Sequence, residues 1–338
     1  MWWSASARFT GGGDMDLRGR RVLAIGGAGF IGSHVVEQLV REDVGEIIVY
    51  DDFTRGTVKN LETALRDPRV KIFELGGNIL HSDLLDTAMK GVDCVFHLAA
   101  LWLLHCNDFP RSAFEVNVRG TFNVLEACVA NRVGRLIYSS SASVYGDAVE
   151  TPMTEEHPFN NRTFYGATKV AGEQMCRAFH QRYGLDYVGL RYMNVYGPRQ
   201  DERGAYTSVI MKVLERIGHA QRPIVFGDGS QTYDFISVTD VARANVLAAK
   251  ADVTDRCYNV GRGVGTTVRD LVGELLRLTG SRLEIEYQPA GQTFVTNRIG
   301  STDGAKRDLG FEAQIDLIQG LQDLIAWCAR GRKDLRAS

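Results

Sequence analysis

The chain has 338 residues, 44% of them hydrophobic and 24% charged, with a formal net charge of −2. That length allows one large core or two domains, and the composition is that of an ordinary globular protein. The charge balance provides no global field to recruit nucleic acid, and no apolar run approaches the ~20 residues that cross a bilayer.

The first residues, MWWSASARFTGGGDMD, lack a basic start followed by an apolar core, so they do not read as a secretory signal. Residues 1–16 read as a flexible leader, or as sequence ahead of a second start at Met15; Trp2 and Trp3 leave open a membrane-touching tip. Beyond the leader, strand-length apolar runs alternate with amphipathic stretches. Arg21–Ile25 predicts a strand, Ile31–Val40 a helix, and Glu46–Tyr50 and Val70–Glu74 further strands. Asp93–Leu98 and Arg135–Ser139 continue the series with a helix over Asn117–Ala130 between them; a helix over Tyr165–Tyr183 and a strand over Tyr187–Tyr192 follow. Such alternation with near-continuous apolar strands predicts a doubly wound α/β fold, a parallel sheet covered on both faces.

The pattern loosens after Gly197, where 198–232 is rich in Gly, Pro, Arg and Gln around a helix at Ser208–Ile217. Asp234–Ala249 and Cys257–Val260 read as sheet material again. Thr267 then caps a helix, and a last helix lies near Leu317–Ala329. We expect a dinucleotide-binding domain of residues 17–197 plus 233–262, and a smaller α/β lobe of residues 198–232 plus 263–330. Six scattered cysteines, with neither Cys-x-x-Cys nor metal-ligand spacing, predict reduced thiols, a cytoplasmic location and no metal site.

Three glycines, Gly26, Gly29 and Gly32, follow the first strand and open a helix. They permit a tight turn and close backbone approach to a pyrophosphate, with Phe30 and Ile31 offering helix N-terminal N–H groups. Asp51 ends the next strand, where a carboxylate accepts from both adenosine ribose hydroxyls and repels a 2′-phosphate, favouring NAD over NADP. Asp52 is the competing candidate, and Arg55 reads as a solvated loop arginine or as a softener of that exclusion. Further on, Tyr165 and Lys169 stand four apart on one helix face, downstream of Ser141 in SSSASVYG. A free tyrosine titrates near pH ~10; a neighbouring ammonium lowers that value, and a serine hydroxyl holds a substrate oxygen. Ser139, Ser140 and Ser143 compete with Ser141 for the last role.

The stretches GGAGFIGSH, VYDDFTRG, VDCVFHLAA, FEVNVRGTFNVLEA, IYSSSASVYG, YGATKVAGE, RYMNVYGPRQ, GDGSQTYDFISVTDVARAN and YNVGRG run in order over nearly the whole chain. In these the chain resembles the extended short-chain dehydrogenase/reductase family, in particular its NAD-dependent nucleotide-sugar epimerases and dehydratases. The resemblance implies a Rossmann domain with a C-terminal sugar-nucleotide lobe, and a homodimer packed through helices that include 117–130 and 165–183. It also implies that Tyr165 takes the sugar hydroxyl proton while NAD takes hydride, that Lys169 lowers the tyrosine pKa, and that Ser141 holds the reacting oxygen. Beside the cofactor it places Asn78, Ile79, Leu98, Ala99, Ala100, Asn117, Ser139 and Tyr192. For the substrate it points to Ser143, to Asn194 at the diphosphate, and to Ala205, Tyr206 and Val209 around the uracil.

Arg298 is a fork donor able to reach the diphosphate. Tyr233 stands where relatives carry an arginine that grips phosphate, which weakens diphosphate binding unless Arg298 or Arg191 compensates. The loop ALWLLHCNDFP, with Trp102 and His105, is bulkier than in relatives; it either reshapes specificity or packs in the core. His97 and His81 read as structural. Dehydratases of the family follow the catalytic serine with Asp-Glu, whereas this chain has Ala142 and Ser143, which favours redox-neutral 4-epimerisation of a UDP-sugar. Dehydratase or reductase chemistry stays as the alternative, and a non-catalytic NAD-binding scaffold as the reading from another class.

Overall fold

The computed structural model describes residues 15–201, 208–290 and 295–337; the leader through residue 14 lies outside them. In chain order the first part holds β1 (Arg21–Ile25), α1 (Phe30–Val40), β2 (Glu46–Tyr50), β3 (Val70–Ile72), α2 (Ser82–Ala88), β4 (Cys94–His97), α3 (Leu103–Asp108) and α4 (Pro110–Ala113). A π-helical segment, Phe114–Gly120, runs into α5 (Thr121–Ala130), so the predicted helix from Asn117 begins inside a wider turn. Next come β5 (Arg135–Ser141), α6 (Phe164–Tyr183), β6 (Tyr187–Tyr192), β7 (Asn194–Tyr196), α7 (Val209–Gly218) and β8 (Ile224–Phe226). The remainder is β9 (Thr232–Ser237), α8 (Val238–Lys250), β10 (Arg256–Val260), β11 (Gly265–Thr267), α9 (Val268–Leu278), β12 (Glu286–Gln288), β13 (Asn297–Arg298), α10 (Asp303–Leu309) and α11 (Leu317–Ala337).

Seven parallel strands form the main sheet in the order β10-β6-β5-β4-β1-β2-β3. The order reverses between β1 and β4, and in open α/β sheets the dinucleotide crevice opens at such a point. Successive residues of a strand face opposite sides of a sheet. Val22 and Ala24 accordingly join the core shared with Val35, Val36 and Ala244, whereas Leu23 and Ile25 join the one shared with Val124, Leu125 and Cys176. Both faces are therefore covered, as the continuous apolar strands predicted.

Within residues 233–262, β10 joins the main sheet and α8 packs in its core beside α1, while β9 pairs with β11, β13 and β7 in a separate small sheet. An apolar run such as Phe235–Ile236 shows that a strand is buried, not which sheet it enters. Asp240 ties the parts together: its carboxylate accepts from the Gln314 and Ile315 N–H groups at 2.9–3.1 Å.

Behind the strand that carries Ser141 lies a buried ion pair. Glu173 on α6 and Arg191 on β6 are 3% and 5% exposed and form two hydrogen bonds of 2.8 and 2.9 Å. Ser140 donates to the same carboxylate at 2.5 Å, and Arg191 also donates to the Tyr145 hydroxyl at 2.8 Å. Every partner in this group is hydrogen-bonded, the condition under which burying charge is tolerable.

Candidate active site

The glycine loop is closed on itself. A Cβ on Gly32 would stand 2.1 Å from the Gly26 carbonyl oxygen, and one on Gly26 would stand 2.6 Å from the Ala99 nitrogen. Gly26 also has φ +78°, a conformation that favours glycine. Gly29 caps α1 with no side-chain bond, so the N–H groups of Phe30, Ile31 and Gly32 at the first turn point out of the helix end. A bare N-terminus beside tight backbone is the cradle a pyrophosphate requires. Asp51 lies at its rim and is nearly buried, accepting from the N–H groups of Ala28 and Phe53, each at 2.9 Å. Burial raises its carboxyl pKa while those N–H groups oppose the rise. Asp52 is exposed and bonds the Thr54 N–H, which leaves Asp51 as the acid built into the loop.

Several residues expected at the cofactor serve its walls. Asn78 accepts from the Leu80 N–H at 2.9 Å, and its carbonyl receives the Tyr50 hydroxyl. Ile79 is buried, with its side chain filling the space beside Gly120 and its carbonyl accepting from Asn123. Leu98 and Ala99 both donate to the Ile25 carbonyl, which holds the strand end that runs on to Ala100 against the glycine loop. Asn117 clamps the following loop, accepting from the Leu101 N–H at 2.7 Å and donating to the Leu101 carbonyl at 3.0 Å and to Thr168 at 3.1 Å. The hydroxyls of Ser139 and Tyr192 bond each other at 2.9 Å, and Tyr192 also donates to Asn245. His97 is buried against Thr121 at 3.0 Å, with its pKa pushed down to about 3 by desolvation, which fits the structural reading.

Thr163 caps α6 through the Gly166 N–H, and the helix runs without a break through Tyr165 and Lys169. Lys169 is buried and donates to the Ser139 carbonyl at 2.7 Å, with its ammonium 5.7 Å from the centre of the Tyr165 ring. Desolvation lowers its pKa to about 8, so the ammonium stays mostly charged at neutral pH. Burial pushes the Tyr165 phenol up to about 12, opposed by a hydrogen bond with Ser141 and by the charge of Arg298. The lysine reaches past the phenol to the strand carbonyl. Ser141 holds its strand-end turn by accepting from the Ser143 N–H at 3.1 Å, and Ala142 and Ser143 are both buried beside it.

Around β9 a second group of polar atoms lacks partners. Asn194 Nδ2, Arg262 Nη1, Asn297 Oδ1 and Arg298 Nε are enclosed, and none has a hydrogen-bond partner among the described residues. They belong to β7, β13 and the turn after β10, around β9. Arg262 escaped the sequence reading; the Gly-Arg-Gly after a strand was its only signal. The buried Asp234 holds that turn by accepting from the Arg262 and Gly263 N–H groups at 2.9 Å, and desolvation lifts its pKa to about 6. Tyr233 pairs with Arg298 across the sheet and donates its hydroxyl to the Val295 carbonyl at 2.7 Å. Arg191 is spent on Glu173, which removes it as the compensating cation and leaves Arg298. Val209 packs on the small lobe's core, and Ala205 and Tyr206 lie outside the described residues. No group of His, Cys, Asp or Glu among the described residues is arranged to hold a metal.

The model of a family described as "NAD dependent epimerase/dehydratase family" matches residues 22–261. The chain belongs to the NAD-dependent epimerase/dehydratase family. Its cofactor is therefore NAD, and the glycine cradle with Asp51 fits that molecule; its class is that of the NAD-dependent nucleotide-sugar epimerases. A UDP-glucose 4-epimerase of Mycolicibacterium smegmatis is 32% identical over 89% of this chain and 96% of its own length. A dTDP-glucose 4,6-dehydratase of Actinoplanes sp. is 30% identical over 92% of this chain and 98% of its own. The solved UDP-N-acetylglucosamine 4-epimerase of Methanobrevibacter ruminantium, in complex with UDP-N-acetylmuramic acid, superposes with a TM-score of 0.87 at 30% identity, covering 93% of this chain and 99% of that one.

Proposed function

We propose that this family member is a UDP-sugar 4-epimerase, acting on UDP-glucose, UDP-N-acetylglucosamine or UDP-glucuronate. One observation carries the choice over dehydration. Ser141 is followed by a methyl and a hydroxyl, Ala142 and Ser143, where elimination requires groups that move protons at carbon. Relatives named as UDP-glucose and UDP-N-acetylglucosamine 4-epimerases support the same reading.

Bound NAD supplies the hydride acceptor and donor. Tyr165 takes the proton of the sugar hydroxyl as its carbon is oxidised and returns it on re-reduction. Ser141, whose hydroxyl lowers the phenol's pKa, holds the same oxygen and steadies the phenolate. Lys169 fixes the strand end through the Ser139 carbonyl and keeps a positive charge near the phenol. The keto sugar turns over between the two hydride transfers, so the reaction is redox-neutral. Asn194, Arg262 and Arg298 receive the diphosphate, whose oxygens satisfy their open donors.

The reading extends to a cytoplasmic homodimer. Six scattered cysteines with neither Cys-x-x-Cys nor metal-ligand spacing support a reducing compartment. The exposed Phe122 on α5 and Phe164 on α6, 40% and 56% accessible, support pairing through those helices. Among the described residues no helix is long and apolar enough to cross a membrane.

The test is incubation with UDP-, dTDP- and GDP-sugars followed by NMR and mass spectrometry. The expected product has the substrate's mass and inverted configuration at C4, with no net NADH. A product lighter by one water moves the protein to the dehydratases, and no turnover of any sugar supports the scaffold reading.

A further inference from the structure

Two loops leave the carboxyl ends of β2 and β4, the strands on either side of β1. Both rest on the glycine loop that follows β1. On one side a Cβ at Gly56 would approach Ala28 to 2.8 Å, and the Thr57 N–H donates to the Ala28 carbonyl at 3.2 Å. On the other, Ala99 lies against Gly26. From these anchors, one residue before Gly56 and three after Ala99, the two loops meet again. The Arg55 guanidinium carbon sits 3.5 Å from the centre of the Trp102 ring.

Neighbouring strands are ~4.8 Å apart, so the ends of β2 and β4 are separated by roughly 10 Å. The Arg55–Trp102 contact spans that gap above the end of β1, where the dinucleotide crevice of this topology opens. A third segment joins it: Asp201, from the chain after β7, pairs with Arg55 at 2.6 Å, and Arg199 pairs with Glu37 on α1. The Trp102 side is held firmly. Its ring packs on His105 at 4.8 Å, His105 packs on Phe109 at 5.0 Å, and Asn117 grips Leu101 at its root. Arg55 is the yielding side, its side chain 37% exposed.

We propose that Arg55, Trp102 and Asp201 form a clasp across the cofactor crevice that retains NAD between turnovers. The chemistry gives the reason: an enzyme that returns the hydride it removes must keep its cofactor until the return. Arg55 is thus neither a solvated loop residue nor a reader of a 2′-phosphate, and Trp102 holds the cofactor in rather than shaping sugar choice. The proposal rests on NAD binding alone and is independent of which sugar is turned over.

The experiment uses the purified holoprotein without sugar. NAD content is measured after repeated gel filtration, and release is timed by exchange with a fluorescent etheno-adenine analogue of NAD. Trp102→Ala and Arg55→Ala are each expected to release NAD about tenfold faster, as befits one cation–π contact reinforced by an ion pair. Arg55→Lys keeps the charge without the planar fork and should fall between. The double alanine variant should release NAD no faster than the faster single one, since both remove one contact. Melting temperature controls for folding, and Arg55→Ala, a surface change, carries the test should Trp102→Ala fold poorly. Release rates within twofold of the parent in both single variants, or full additivity in the double variant, would overturn the clasp.

Discussion

The glycine loop and the region around β9 treat polar groups in opposite ways. Around the loop, backbone lies so close to backbone that Gly32 has no room for a methyl group, and Asp51 is already bonded to two N–H groups. Around β9, Asn194, Arg262 and Arg298 keep enclosed donors open. The glycine loop is organised before anything binds, and the region around β9 holds unmet hydrogen-bonding capacity that an anion would satisfy.

The largest effect should come from breaking the closed side. Gly32→Ala places a Cβ on the Gly26 carbonyl, and we expect purified protein without NAD and without activity; full NAD content by absorbance would contradict the cradle. Tyr165→Phe should reduce turnover by about 10³-fold while NAD still copurifies, in keeping with loss of a general base. Unchanged activity would remove Tyr165 from the mechanism. Glu173→Gln, which leaves Arg191 buried without its counter-charge, should cost about 3 kcal/mol in denaturant unfolding.

On the open side, Arg298→Ala should raise KM about tenfold or more with little change in kcat, the signature of lost binding to a charged group. Its melting temperature should not fall, because a guanidinium with an unsatisfied buried donor leaves with the substitution. A drop in stability with unchanged KM would make Arg298 structural. The smallest effect concerns pH. Lys169 has its pKa lowered to about 8, so its ammonium is present below that value and lost above it. Turnover by the parent should therefore decline as pH rises through about 8, and a flat profile to pH 10 would show that the ammonium is dispensable.

Much of the cofactor side was legible in the sequence because its determinants are local. The glycine spacing, the acid at the end of β2 and the Tyr165–Lys169 interval each lie within one strand–turn–helix unit or one helix. The substrate side was legible only in pieces. Arg262 sits in a turn held by Asp234, 28 positions earlier in the chain, and no spacing rule links them. Arg191, a reasonable phosphate ligand by type, is claimed by Glu173 across the α6–β6 packing. The sequence shows a lysine one turn from Tyr165 but neither the burial around the phenol nor the carbonyl that captures the ammonium.

The sequence by itself determined the alternation of strands and helices, the glycine turn after β1 and the placing of Tyr165 and Lys169 on one helix, since hydrophobic period and short-range geometry depend only on neighbouring residues. Only the tertiary structure decided that β9 joins the small sheet, which arginine keeps its donors open, and that Arg55 meets Trp102 above β1. Those outcomes depend on strand pairing, desolvation and contacts between segments far apart in the chain, which neighbouring residues do not encode.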